Sequence, residues 1–370
     1  MKTCSNTVYQ HTTRTLAVAS LALLTGCDGT MFRAIFDDVE DATLYEAATL
    51  TEAAAPDGAI KVLNYNIKYG GARLLFFWEC NGTRYTMTEA EVTGHLDAIV
   101  DFINWADPDI ITLQEVDRKS TRSLYIDQTQ YLLDRTEMNY GAYASQHRAD
   151  YLVSDGMGYM DFGNATLSRW PIEHAERHAL PLVGEYPGYY RYLYLKRHIL
   201  DAEIDLPGVE DFHVVNTHLE AFSDDGTKKD QIDQFHDHLQ ALTDEGAFWM
   251  GAGDLNSLPS GSEQLSEFED DCPGLFDPDD YSGEENWLDE MFWDFNSVMP
   301  LDDYQAENSD WYSYTGNPDI GWTRTLDYMF TNGTWVEGTG LVMQDEFRGG
   351  YATLPLSDHA PVYAELEVGQ

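Results

Sequence analysis

Six times along this chain a strand-like apolar run ends in a small group of acid, amide or imidazole residues. The groups are Asn64-Tyr65-Asn66, Gln114-Glu115, Asn216-Thr217-His218, Gly253-Asp254-Leu255-Asn256, Leu326-Asp327 and Ser357-Asp358-His359. A single acid at a strand end is ordinarily a turn or cap residue. Six such groups, none containing Lys or Arg, constrain the fold more tightly than composition does, because together they can assemble one site. Such a donor set suits a hard divalent cation flanked by proton-transfer groups.

The segments between these groups read as alternating strands and helices. Ile60 to Ile67 has the pattern of a strand. Thr88-Glu89-Ala90-Glu91 has the form of a capping box, and Val92, Leu96, Ile99 and Ile103 then recur on one helical face until Asp107-Pro108-Asp109. Ile110 to Glu115 follows as a buried strand. Further strands are expected at 164–168, 199–204, 212–217, 248–252, 325–330 and 362–368, with a helix carrying Ile232, Phe235, Leu239 and Leu242 on one face. His236 and His238 are expected on that helix's solvent side. No long Pro/Gly/Ser linker or internal repeat interrupts this pattern, so residues 59–370 read as one catalytic domain. Within it, an acidic stretch rich in Trp and Tyr at about 260–322 is expected to be an inserted surface or substrate loop. Asp277, Asp279 and Gly283 there loosely resemble a calcium loop, but Leu288 stands where a bidentate Glu is needed.

Residues 1–26 combine Lys2 and Arg14 with a short apolar run ending in Leu24-Thr25-Gly26-Cys27. This order resembles a bacterial lipoprotein signal, with Cys27 as the lipidated residue and 27–58 as an acidic tether carrying a docking helix. It implies attachment to the outer side of a bacterial membrane, or release outside the cell. Cys80 and Cys272 then remain as one possible pair in an oxidising compartment, and the sequence leaves open whether they meet.

The chain has 21 Lys and Arg against 65 Asp and Glu, a formal charge of −44. Loss of Lys2 and Arg14 with a leader makes it more acidic still. Such a surface opposes nonspecific binding to nucleic acid or anionic lipid, so any phosphate must be met by local cations. The acids are spread along the chain, which suits either a saline medium that screens self-repulsion or ordinary solubility.

Leu113-Gln114-Glu115, Gly253-Asp254-Leu255-Asn256 and Ser357-Asp358-His359-Ala360-Pro361-Val362, with Gly163-Asn164-Ala165-Thr166-Leu167-Ser168-Arg169, resemble the endonuclease/exonuclease/phosphatase superfamily of DNase I-like proteins. The likeness runs from about Ile60 to Val368. It implies a four-layer α/β/β/α sandwich with two central mixed sheets and a site at the strand ends. By that resemblance Glu115 is the principal metal ligand, with Asn66 beside it and Asp358 as a further ligand, holding Mg2+ or Mn2+. Asp254 activates or orients the attacking water, and Asn256 positions it or the phosphate. His218 and His359 donate to phosphoryl oxygens, Asp327 holds the His359 tautomer, and Asn164 and Arg197 contact substrate. No residue between Tyr140 and Phe162 clearly matches the family's phosphate-facing Tyr, although Tyr151 and Tyr159 are candidates.

The charge balance disfavours long nucleic acid and favours a small phosphomonoester or phosphodiester, such as a phospholipid headgroup or inositol phosphate, acted on by a monomer. Trp287, Trp293, Trp311, Tyr312, Tyr314 and Trp322 are available to cage a choline-like cation or simply to pack. Arg191, Lys196 and Arg197 form the densest basic cluster, open to substrate or to ordinary pairing with acids. Two alternatives are an extracellular nuclease of the same superfamily and a surface-binding lipoprotein without catalysis. The second predicts loss of the site residues, all of which are present.

Overall fold

Two strand–helix–strand units organise the chain, one in each of two mixed sheets; the computed structural model describes residues 36–152, 158–184, 194–272 and 274–369. Cys27, the leader and Arg191 lie outside these residues. The first sheet has the order β13 (Leu341–Val342), β14 (Val362–Glu367), β3 (Ala59–Asn66), β4 (Ile110–Asp117), β6 (Gly158–Ser168), β5 (Tyr140–Leu152), β2 (Thr43–Glu46). The second has the order β1 (Val39–Asp41), β7 (Ile172–Ala179), β8 (His198–Ile204), β9 (Phe212–His218), β10 (Phe248–Asp254), β12 (Asp327–Thr331), β11 (Asn296–Ser297).

Among the described strands, only β3 with β4 and β9 with β10 run parallel. Each of these pairs is linked by a helix packed on the outer face of its sheet: α1 (Glu89–Ala106) for the first and, after the short α2 (Gln128–Leu133), α3 (Thr227–Glu245) for the second. Thr88 and Glu91 form the reciprocal capping box of α1, and Asp107 closes that helix in the left-handed conformation. Two parallel pairs closed by helices send four strands out at the same end of their sheets, where the polar groups sit.

Three apolar layers hold the sandwich. Ile60, Val62, Leu200, Ala202, Val214 and Met250 belong to a core shared by both sheets. Ile99, Phe102 and Ile103 of α1 pack on Leu63, Tyr65, Ile111 and Leu113, while Phe235 and Leu239 of α3 pack on Val215, Trp249 and Phe330. The expected four-layer α/β fold is therefore present.

Several local readings are corrected by the packing. Residues 39–46, read as tether, supply an edge strand to each sheet. The stretch at 260–322 is not a plain surface loop: α4 (Asp289–Asp294), α5 (Leu301–Ala306) and β11 lie within it, and Leu288, Met291, Phe295 and Tyr304 extend the core beneath α3. Cys80 and Cys272 form a disulfide that ties this stretch to the loop after β3. Asp279 is committed to Arg324, which removes it from a calcium loop. His236 and His238 face inward instead of outward, His236 onto Phe295 and Asp294 and His238 onto Asp201.

Candidate active site

A relay of buried amides fixes the spacing of the sheets beneath the site. Gln114 Nε2 donates to Asn64 Oδ1 and Asn216 Oδ1, both at 2.8 Å, and Asn216 Nδ2 donates across the interface to the Leu113 and Ala165 carbonyls at 3.0 and 2.9 Å. Each of these side chains is fully buried. Hydrogen bonding is what makes buried polar groups tolerable, and although Asn64 Nδ2 and Gln114 Oε1 have no partner among the described residues, the bonds made join β3, β4 and β6 of one sheet to β9 of the other.

Above the relay the strands deliver their terminal side chains. The register of β4 with β6 shifts between Leu113 and Val116, and Glu115 sits in this bulge with φ 56°. A bulge re-aims a side chain at the cost of local strain, here of order 1 kcal/mol or more for a non-Gly residue in the left-handed region. Asn256 has the same backbone conformation, with φ 50°. Gly253 permits close contact of β10 with β9, since a Cβ there would lie 2.2 Å from the Thr217 carbonyl oxygen.

The Asn66 amide is the hub. Its Nδ2 lies 3.1 Å from Asp254 Oδ2, 3.5 Å from Glu115 Oε1 and 3.5 Å from His359 Nε2. His359 Nδ1 lies 2.7 Å from Asp327 Oδ2, and His218 Nε2 lies 3.4 Å from Asp254 Oδ2. Asn256 N donates to Asp254 Oδ1 at 3.1 Å, while its side chain donates to the Leu219 carbonyl. Asp358 is paired with Lys68 at 3.2 Å, and Lys68 also pairs with Glu79.

The sequence-named residues thus occupy defined places. Asn66, Glu115, Asp254 and His359 meet around one amide; His218 and Asp327 each touch a member of that group; Asp358 follows on the Lys68 side. Asn164 is fully buried opposite the bulge, and neither atom of its amide has a hydrogen-bond partner among the described residues. Arg197 lies behind His218, with Nε 3.8 Å from Glu220 Oε2 and Nη1 donating to the His218 carbonyl at 3.4 Å. It is 2% exposed, so its position is that of a brace. Tyr159 donates to Asp161.

Charge is distributed unevenly. Burial raises the Asp254 carboxyl, and the charge of His359 offsets this only in part. Burial opposes protonation of His359, but Asp327 and Asp254 outweigh it and hold the ring as imidazolium well above neutral pH. Burial and then the Asp358 charge raise Glu115. For Asp358 the burial penalty is outweighed by Lys68, His359 and Arg73, and its carboxyl is lowered. Burial, then Arg197 and His359, lower His218 well below the usual imidazole range.

These residues fit a divalent ion. Glu115 carries a carboxylate that burial and Asp358 disfavour, Asp327 Oδ1 has no partner among the described residues, and Asp254, Asp327 and His359 offer ligand atoms within 4.8 Å of one another. A cation relieves such crowding, and carboxylate and carboxamide oxygens suit Mg2+ or Mn2+. The tightest group is the one expected to carry proton transfer, whereas Glu115 and Asp358 flank it.

Sequence reasoning missed Lys68 and Ser313, and named Tyr314 only among the aromatics available to cage a cation or to pack. Ser313 Oγ donates to Asp327 Oδ2 at 2.7 Å, and the Tyr314 ring stands edge-on to His359 at 4.9 Å. Of the other aromatics named for a cage, Trp287 packs beside α3 and Trp293 is 71% exposed. Lys68 carried a local signal, two residues beyond Asn66 and just before Tyr69-Gly70-Gly71, where Lys68 and Tyr69 both have positive φ.

Comparison with known proteins agrees with this architecture. An endonuclease/exonuclease/phosphatase from Beutenbergia cavernae DSM 12333 superposes with TM-score 0.53 at 19% identity, covering 84% of this chain and 72% of its own. The human Nocturnin catalytic domain with bound sulfate gives 0.49 at 17% identity over 88% and 97%. A Bacteroides thetaiotaomicron mannosyl-6-phosphatase gives 0.47 at 14% identity over 84% and 100%. At 19% identity the likeness to the Beutenbergia cavernae protein concerns the fold alone, and no curated protein matches by sequence. A model of the Endonuclease/Exonuclease/phosphatase family matches residues 63–359, most of the chain, and the protein belongs to that family.

Proposed function

We propose that this protein is a divalent-metal-dependent hydrolase of compact phosphate esters, either mono- or diesters. The observation that carries the reading is the convergence of Glu115, Asp254 and His359 on the single amide of Asn66, with His359 anchored by Asp327. Glu115 and Asp358, with Asn66, would hold the ion, which when bound neutralises phosphate charge.

The chain's own groups then divide the proton work. Asp254 stands at the centre with a raised carboxyl and accepts a proton from the attacking water as the new P–O bond forms and the ester P–O bond breaks, the departing alcohol oxygen taking its proton from solvent. Asn256 N fixes one oxygen of that carboxylate. His359, with Nδ1 directed to Asp327, presents Nε2 as a cationic donor to developing phosphoryl charge. His218 stays neutral beside it and donates one hydrogen bond. Phosphoryl transfer needs positioning and charge neutralisation more than a protein nucleophile, so no covalent intermediate is required.

The formal charge of −44 supports a small substrate, because tracking a nucleic-acid backbone requires neutralising several phosphates at once. The deciding measurement is turnover of bis-p-nitrophenyl phosphate and p-nitrophenyl phosphate with Mg2+ or EDTA, in low and molar salt, followed by plasmid DNA, sphingomyelin and inositol phosphates. EDTA-sensitive turnover of small esters with DNA left intact is expected. Absence of turnover on every ester, or preference for plasmid DNA, overturns the reading.

A further inference from the structure

Away from the Asn66 hub, two imidazoles and a carboxylate from three different elements meet on the outer face of the second sheet. His178 on β7, Asp201 on β8 and His238 on α3 each offer a ligand atom, all within 4.8 Å of one another. His238 Nε2 lies 2.9 Å from Asp201 Oδ2, and the His178 and His238 rings are 4.8 Å apart. The other Asp201 oxygen, Oδ1, lies 2.7 Å from His213 Nδ1, and His213 Nε2 lies 3.3 Å from Asp211. None of these residues takes part in the hydrolytic mechanism. His213 stands five positions before His218 on β9, a separation of about 16 Å along a strand.

We propose that His178, Asp201 and His238 bind a divalent transition ion of the Zn2+ class, which ties α3 to β7 and β8, with His213 as a positioning residue. Ligand atoms of a tetrahedral Zn2+ site lie about 3.3 Å apart, so the three atoms need only small rotations to share an ion, with water in the fourth place. Imidazole nitrogens select this class over Mg2+ or Ca2+, which the oxygen-rich hydrolytic centre suits instead. His213 supplies what a metal-bound carboxylate ordinarily has, a hydrogen bond to its non-ligating oxygen. Glu176 Oε2 is a further carboxylate beside the group, 3.4 Å from His178 Nε2.

The test uses the full chain, stripped with chelator and re-dialysed into excess Mg2+, then titrated with Zn2+ by calorimetry and with Co2+ by visible absorption. One tightly bound Zn2+ per chain is expected, with a Tm rise of at least about 2 °C. His178→Gln and His238→Gln are expected to lose that ion, and His213→Gln to bind it about 10- to 100-fold more weakly. Glu115→Gln is expected to keep it, and His178→Gln to keep Mg2+-supported ester turnover. His178 is partly exposed on a strand, so this variant remains informative if His238→Gln does not fold. No Zn2+ bound in the presence of Mg2+, unchanged stoichiometry in His178→Gln, or loss of the ion in Glu115→Gln overturns the proposal.

Discussion

Asp327 Oδ2 accepts from both sides of the site, from His359 Nδ1 at 2.7 Å and from Ser313 Oγ at 2.7 Å. Ser313 Oγ in turn accepts from the main-chain N–H groups of Leu326 and Asp327 at 3.0 and 3.1 Å. The imidazole is therefore oriented by a carboxylate that is itself held from behind. Asp327→Asn removes the charge that sustains the imidazolium and allows the wrong tautomer, and kcat is expected to fall about 100- to 10,000-fold. Ser313→Ala should cost only about fivefold to tenfold, the equivalent of about 1 kcal/mol. Steady-state kinetics on a p-nitrophenyl ester checks both; an Asp327→Asn enzyme with wild-type kcat would remove His359 from the mechanism.

Glu115 poses a conflict between stability and function. Burial and Asp358 raise its carboxyl, so at neutral pH its ionised form destabilises the metal-free fold. Glu115→Gln is expected to abolish Mg2+-dependent turnover while leaving Tm in EDTA unchanged or higher. Calorimetry of the two proteins in EDTA decides the matter, and a clear drop in Tm would mean that Glu115 is structural.

The amide relay predicts a different pattern. Asn216→Ala removes one of the two bonds of Gln114 Nε2 on one side and the side-chain donor to the Leu113 and Ala165 carbonyls on the other, all in a fully buried interface. A loss of about 2 to 3 kcal/mol is expected in urea unfolding, with turnover reduced because β4 and β9 carry Glu115 and His218. A loss below the error of that measurement would show that the interface repacks freely.

The parallel units and the site were legible because their signals are local. Thr88 and Glu91 announce α1 within four residues, and an acid or amide after an apolar run marks each strand end. The edge strands were not legible. β1 and β2 are three and four residues long and gain their identity only from β7 and β5. β7, Ile-Glu-His-Ala-Glu-Arg-His-Ala, is polar on its outer face and reads as surface, although Arg177 within it is 1% exposed. Ser313 was hidden for another reason: nothing near it in the chain shows that a turn folds it back onto Asp327, fourteen positions ahead.

The His213–Asp201 contact gives the metal-free protein a predictable pH dependence. Burial of His213 favours the neutral ring, but hydrogen bonding and charge from Asp201, with Asp211 adding to both, prevail and raise it to about 9 from an unfolded value of 6.5. A raised folded value means that the folded state binds the proton more tightly. The stabilisation is therefore complete below pH 6.5 and is lost as pH rises through about 9. Asp201 is shifted the opposite way, downward, so its contribution is present above the ordinary carboxylate range and fades only in acid. Chelator-treated protein should lose stability between pH 6.5 and 9, and His213→Asn should flatten that slope while lowering stability at pH 6. Urea midpoints across this range check the claim; an unchanged slope in His213→Asn would place the proton elsewhere.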